Sequence, residues 1–184
     1  MKSAILLLSL ALGFTAFADD VAQPSGEILS FDGSVDMGVC QIDEVGNDIS
    51  CTGAKDIQQV KIDVSEELMR SGCRPACTYN DTAQFAQTAE LKDQKTGKTK
   101  SFDLQVTVTR LQLASDKEPT FMIQISLDKA NKPSDRSAIT SVKSLEALND
   151  LFVSGPSSIE KQKDGSAIKL SPSIFLRNFK ITKK

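Results

Sequence analysis

The sequence predicts an all-β domain, either an antiparallel β-sandwich or a small barrel, stapled by disulfides and carrying one short helix near residues 140–153. Three observations lead to this fold class. Short runs of alternating apolar and polar residues are separated by turn-forming residues along most of the chain. Only the segment near 140–153 has apolar residues at helical spacing. Four cysteines, an even number, lie between positions 40 and 77.

The start of the chain has the pattern of a secretory signal peptide. Lys2 supplies a positive charge, residues 5–17 form an apolar run too short to cross a bilayer, and Ala-Phe-Ala at 16–18 fits a cleavage site. We therefore predict a signal peptide at 1–18 and a single exported β domain at 19–184, periplasmic or secreted. No later stretch has the roughly 18 consecutive apolar residues of a membrane helix, so no membrane span is expected.

The composition disfavours several classes of partner. Removal of the signal peptide leaves 166 residues (184 − 18) with a formal charge of −3 (22 − 1 − 24), so no nucleic-acid partner is expected. The sequence has no Trp and one Tyr, which disfavours surfaces that stack on sugars or bases. The mature chain is long enough to bury a core as one domain.

The absence of histidine excludes several common catalytic and metal-binding arrangements. Without His the chain has no Ser-His-Asp or Cys-His nucleophile and no imidazole ligand for zinc or copper. No paired-carboxylate motif replaces these groups. The sequence therefore predicts a non-enzyme with no catalytic residues, no metal site and no cofactor. Its binding residues and its partner are unassigned at this point, with an extracytoplasmic protein or a small apolar ligand as the candidates.

The cysteines predict two disulfides, because an exported protein with an even number of cysteines normally oxidises them. Three pairings of Cys40, Cys51, Cys73 and Cys77 exist, and we expect the local one, Cys40–Cys51 with Cys73–Cys77. A hairpin with its turn at 43–48 would bring the first pair within bonding range. Gly and Pro would bend the short second loop. Crossed and nested pairings are the alternatives.

Alternation defines the first strands. Residues 29–39 alternate around a glycine that suggests a bulge or kink, and a polar turn follows at 43–48. Residues 60–64 alternate again and predict a second strand. Ser65 is expected to cap a single helical turn over 66–70.

Two long strands are predicted in the middle of the chain. Residues 102–108 and 121–127 each have apolar side chains at alternate positions, with one turn between them. We expect them to pair antiparallel, with Val106 and Ile123 in the interior. After Val108 the apolar positions of the first strand shift by one residue, to Leu111 and Leu113, which predicts a bulge at 109–110.

The last part of the chain contains the predicted helix and two closing strands. Val142, Leu145, Leu148 and Phe152 recur at helical spacing, with a strand as the competing interpretation. The two closing strands are expected to be separated at Pro172.

Together these observations predict an exported small β domain with a binding or structural role and no catalysis. Two alternatives stay open. One is a β-barrel carrier that holds a small apolar ligand in its lumen. The other is a secreted protease inhibitor that presents the Cys73–Cys77 loop, with Arg74 contacting the protease.

The export prediction can be tested by intact-mass analysis of the protein from its native host. We expect a chain that begins at Asp19, because cleavage follows the small residue Ala18. A soluble cytoplasmic form that retains Met1 would contradict both export and the oxidation of the cysteines.

Overall fold

The computed structural model describes residues 22–51, 58–72, 77–92, 99–129, 137–146, 148 and 150–184. Within these residues the chain forms ten β-strands. The strands are β1 (Gln23–Ile42), β2 (Asp48–Cys51), β3 (Gln58–Arg70), β4 (Cys77–Lys92), β5 (Thr99–Leu113), β6 (Thr120–Lys129), β7 (Ser137–Val142), β8 (Leu151–Ser154), β9 (Ser158–Lys161) and β10 (Ala167–Lys183). The predicted all-β class is confirmed, and the architecture is a curled antiparallel sheet that forms a half-barrel. The predicted signal peptide lies outside the described residues.

The sheet consists of two arms joined by a short ladder. Its strand order is β7-β6-β5-β4-β3-β1-β10-β8, with β2 beside β1 and β9 beside β10. In the described residues β3 and β4 pair only through Met69–Thr82 and Arg70–Asp81, whereas β4 and β5 pair along most of their length. We call β3, β1, β2, β10, β8 and β9 arm A, and β4 to β7 arm B. The ladder between β3 and β4 is the junction.

The arms also meet on the far side of the curl. Lys100 of β5 forms a salt bridge with Glu160 of β9 and donates a hydrogen bond of 3.2 Å to Ser158. Gly155 lies close to Leu127 of β6, so that a Cβ on this glycine would be 3.0 Å from the leucine side chain. These contacts bring the end of arm A against arm B.

One hydrophobic core lies between the two arms. Phe31 of β1 stacks on Phe179 of β10 with 4.9 Å between ring centroids, and it meets Phe85 of β4 edge-on at 5.9 Å. Both arms supply fully buried side chains, including Met37, Leu68, Leu91, Leu104, Ile123, Leu170 and Leu176. Burial of apolar surface between the arms is therefore the main force that curls the sheet.

The predicted pairing of the two central strands is confirmed. Strands β5 and β6 pair antiparallel without a break. Val106 and Ile123 are 1% and 0% exposed, while Gln124, on the other face, is exposed and Thr107 is half-buried. Alternation over two neighbouring segments was enough to place this ladder, because the connecting turn is short.

The predicted helix near 140–153 is wrong. Val142 ends β7 and pairs with Phe121, while Leu151 begins β8 and pairs with Leu176. Between these strands a single turn closes through the hydrogen bond from Leu148 N to Leu145 O, at 3.1 Å. Pairing with other strands thus uses both ends of the segment, and this tertiary context outweighs the helical spacing of its apolar residues. No described helix is long and apolar enough to cross a membrane.

The predicted break at Pro172 is also wrong, since β10 continues through it and pairs Pro172 with Met37 of β1. The Pro172 carbonyl accepts a hydrogen bond of 2.8 Å from Gly155 N, on the side away from β1. In a strand, the N and the carbonyl of one residue face the same neighbour. The missing N–H therefore costs the β1–β10 ladder nothing.

Two further local predictions are wrong. The helical turn over 66–70 belongs to β3, where Glu66 pairs with Leu29 of β1. The bulge at 109–110 is absent, because β5 pairs in register through this point with both neighbours. Alternation in β5 therefore continues past Val108 and turns Arg110 toward the interior, where it is 8% exposed.

The first disulfide is confirmed. Cys40 pairs with Cys51 in the β1–β2 hairpin and is bonded to it. A register shift between Gln41 and Ile42 places Ile42 opposite Asp48. Cys77 is buried in β4 and is not a free thiol, while Cys73 lies outside the described residues, so its pairing stays a prediction.

The ladder of β5 and β6 predicts a large asymmetry between neighbouring positions. Val106→Asp puts a carboxylate into the core, where it has no partner. It should lower the free energy of unfolding by several kcal/mol, out of the roughly 5–15 kcal/mol of a typical protein. Gln105→Asp, on the exposed face, should cost less than about 1 kcal/mol. Urea denaturation of both variants measures the difference, and equal losses would contradict the assigned faces.

Candidate functional site

A row of charged side chains crosses the junction between the arms. Arg70 of β3 lies directly opposite Asp81 of β4, and Asp81 lies directly opposite Arg110 of β5. Glu27 of β1 reaches the same place from arm A. We call these four residues with Tyr79 the ion cluster. Two of its ionic residues come from each arm, so it bridges the point where the arms are connected.

The Asp81 carboxylate is the centre of the ion cluster and is 0% exposed. Arg70 Nε donates to its Oδ1 at 2.9 Å, and Arg110 Nε donates to its Oδ2 at 3.1 Å. Arg110 also forms a salt bridge with Glu27 at 2.5 Å. A buried carboxylate without partners would be strongly destabilising, whereas two guanidinium groups satisfy both oxygens here.

Tyr79 holds the two guanidinium groups from one side. The carbon at the centre of the Arg110 guanidinium is 4.7 Å from the centre of the tyrosine ring, and that of Arg70 is 5.5 Å away. Both distances are in the range of cation–π attraction. The planar groups are thus packed as well as hydrogen-bonded, a geometry that lysine would not reproduce.

The environment shifts the pKa values of the ion cluster. Burial alone would raise the pKa of Asp81, but hydrogen bonds and attraction from Arg70 and Arg110 outweigh it and hold the pKa below its usual range. Burial would likewise lower the pKa of Arg110, and its bonds to Glu27 and Asp81 raise it instead. Asp81, Arg70 and Arg110 stay ionised at neutral pH, so the ion cluster suits a structural role and not proton transfer.

Sequence reasoning missed the ion cluster. Arg110 follows Val106 and Val108 at alternate positions, so strict alternation would have placed it inside. The apolar residues at 111 and 113 suggested a shift of face instead, yet both are exposed. Burial of an arginine is uncommon without a partner, and nothing in the sequence identifies Asp81 as that partner.

A groove of about 1400 Å³ lies on arm A. Its walls come from β1, β3, β10 and β8 and from the connection between β7 and β8. The charged side chains that line it are Asp32, Asp36, Lys61, Asp63, Glu146, Asp150, Arg177 and Lys180, and the aromatic ones are Phe31, Phe152, Phe175 and Phe179. The volume exceeds the 300–1,000 Å³, roughly, of ordinary small-molecule pockets.

Strand register arranges the groove residues in rows across arm A. One row runs from Lys61 through Ser34 and Phe175 to Phe152. Side chains directly opposite one another on neighbouring strands lie on the same face, so the two phenylalanines form a joint apolar surface. Phe152 is 64% exposed, and Phe175 beside it is half-buried.

Carboxylates occupy the rows on both sides of this one. Asp63 lies opposite Asp32. Arg177 Nε forms a salt bridge with Asp32 Oδ2 at 3.6 Å, and Asn178 Nδ2 donates a hydrogen bond of 2.8 Å to Asp32 Oδ1. Asp36 lies in the other flanking row. One of its carboxylate oxygens is buried and has no hydrogen-bond partner in the described residues. Such an atom normally acquires a donor from water or a ligand.

Three of the four cysteines, Cys40, Cys51 and Cys77, are described by the structure, and none of the three lines the groove. Cys40 of β1 and Cys51, the last residue of β2, lie near Asp48, and their sulfur atoms are bonded to each other. Cysteine binds metal ions as a thiolate, and a disulfide does not supply one. Cys77 does not line the groove, and Cys73 lies outside the described residues.

Comparison with known proteins returns no relative. No family model, no curated protein and no solved structure matches the chain.

The ion cluster predicts unequal effects from two arginine substitutions. Arg110→Met removes a bond to buried Asp81 and leaves that carboxylate with one cation, at a cost of about 3–5 kcal/mol. Arg177→Met breaks an exposed pair with Asp32 and should cost at most about 1 kcal/mol. The free energy of unfolding, measured with guanidinium chloride, compares the two. Losses of equal size would show that the ion cluster adds nothing beyond a surface pair.

Acid should weaken the same ion cluster. The pKa of Asp81 is lower in the folded protein than the roughly 3.9 of an unfolded chain. Its contribution is therefore complete at neutral pH and is lost as pH falls from about 4 through the folded pKa. The stability difference between the wild type and Asp81→Asn should shrink over this range. A difference that stays constant from pH 7 to pH 3 would contradict the assignment.

Proposed function

We propose that this chain is an exported, non-catalytic binding domain and that its ligand occupies the groove on arm A. The observation that carries the proposal is the combination of an open groove, an exposed phenylalanine beside a half-buried one, and flanking carboxylates. Large exposed apolar residues rimmed by polar groups mark binding surfaces in soluble proteins. The ion cluster and the core supply the rigid support that such a surface needs.

The chemistry of the groove supports binding over catalysis. The sequence provides no histidine. In the groove, a hydrogen bond from Ser144 lowers the pKa of the exposed Glu146 carboxyl, which keeps it ionised. A general acid needs the opposite shift, so this carboxylate is suited to attract a cation.

Two features support export. The first is the signal-peptide pattern at 1–18. The second is the Cys40–Cys51 disulfide, since such bonds persist in oxidising compartments outside the cytoplasm. Neither feature depends on the groove, so export and binding are supported separately.

A carrier of a small apolar ligand is the second candidate. The observation in its favour is that interior residues Phe31, Ile62 and Phe179 contribute to the groove lining beside Leu145 and Leu148. A ligand could therefore contact the edge of the core. The protease-inhibitor alternative rests on Arg74, which lies outside the described residues.

A matched pair of variants tests whether the groove is the binding site. Phe152 and Ile159 are 64% and 61% exposed, and they lie on the short neighbouring strands β8 and β9 of arm A. Only Phe152 lines the groove. Phe152→Asp should abolish ligand binding, whereas Ile159→Asp should leave it intact.

The measurement is amide hydrogen exchange of the mature protein, with and without concentrated extracytoplasmic fluid from the native host. We expect slower exchange in β1 and β8 around the groove for the wild type and Ile159→Asp, and no change for Phe152→Asp. A solvent extract of the recovered complex then distinguishes an apolar small molecule from a protein ligand. Protection elsewhere in the chain, or equal loss in both variants, would contradict the proposal.

A further inference from the structure

We propose that the occupant of the groove is a basic, extended segment of a partner protein, with Lys or Arg next to a bulky apolar residue. This inference rests on the proposed binding function and specifies the chemistry of the ligand. It depends on the charge of the groove walls, on the unpartnered oxygen of Asp36, and on the size and floor of the groove.

The charge of the groove favours a cation. Three basic and five acidic side chains line it, which gives a formal charge of −2 (3 − 5). Arg177 is already neutralised by Asp32. In the described residues Asp36, Asp63 and Asp150 take part in no salt bridge, so the acidic side chains have the larger unmatched charge. A nucleic acid or another polyanion would be repelled.

The position of Asp36 favours a hydrogen-bond donor. Its unpartnered oxygen is buried, although the residue itself is only partly buried at the groove. An ammonium or guanidinium group that contacts the accessible part of the Asp36 carboxylate would supply a donor and the opposite charge, which a neutral apolar ligand does not.

The floor and length of the groove favour a polypeptide. Strands β3, β1, β10 and β8 are adjacent, so a ligand that crosses them spans three strand spacings, roughly 14 Å, or about four residues of extended chain. Phe175 and Phe152 lie at one end of this path and the carboxylates of Asp32 and Asp63 at the other. A segment with alternating basic and apolar side chains would contact both regions, and its cations would also be attracted to the phenylalanine faces.

Selection from a displayed library of random peptides of about ten residues tests this chemistry without assuming a sequence. The target is the disulfide-bonded mature protein. We expect the selected peptides to be enriched in Lys and Arg beside Phe, Leu or Ile and depleted in Asp and Glu. Affinity of a selected peptide should fall as ionic strength rises, because part of the attraction is electrostatic.

Variants with equal net charge provide the control. Asp63→Asn with Asp150→Asn removes two exposed charges from the groove, whereas Asp116→Asn with Glu118→Gln removes two from the exposed turn between β5 and β6. The groove pair should weaken a selected peptide by about tenfold or more, and the turn pair by less than about twofold.

The outcomes separate this inference from the proposed function. Selected peptides that are neutral or acidic, yet lose binding in Phe152→Asp, would overturn the basic partner and leave the groove as a binding site. Failure to select any peptide whose binding depends on Phe152 would overturn the proposal that the ligand is a segment of a protein. If, in addition, hydrogen exchange showed no ligand protection at the groove, the proposed binding function would also be contradicted.

Discussion

The pairing of buried Asp81 with Arg70 and Arg110 is the interaction on which the arrangement of the two arms depends. In the described residues only two backbone pairs connect β3 to β4. The ion cluster spans this junction, with Arg70 and Glu27 from arm A and Asp81 and Arg110 from arm B. A fully apolar junction would be equally compact, but charged partners of fixed geometry also specify which residues meet.

The groove lies on arm A, and one of its walls comes from the connection that leads from arm B to arm A. Strands β1, β3, β10 and β8 form its floor, while Leu145 and Glu146 come from the connection that starts at β7 of arm B. Leu145 is buried in the shared core, which holds this wall of the groove in place. The position of this wall therefore depends on the core that the two arms share.

Sequence reasoning succeeded where the structure is local. The β5–β6 ladder and the Cys40–Cys51 hairpin join segments that are close in the chain, so alternation and turn residues were sufficient. It failed where pairing with other strands outweighs the pattern of a single segment. Val142 and Leu151 were placed on one helix, yet Val142 pairs with the preceding strand β6 and Leu151 pairs with β10.

The candidate site was less predictable than the fold for the same reason. Asp32 and Asp63 each lie on the polar face of an alternating strand, which by itself indicates only contact with solvent. They become part of one groove through the pairing of β1 with β3 and β10, and β1 and β10 are at opposite ends of the chain. The signal-peptide pattern, by contrast, lies in one contiguous segment, so the export prediction does not depend on strand pairing.

The most direct test of this account is a double-mutant cycle between Arg110 and Asp81. Unfolding free energies of the wild type, Arg110→Met, Asp81→Asn and the double variant give the coupling energy between the two side chains. A clamp that fixes the junction predicts a favourable coupling of roughly 2–3 kcal/mol. A coupling below about 0.5 kcal/mol would contradict the account, because the arms would then be held in place by the apolar core alone.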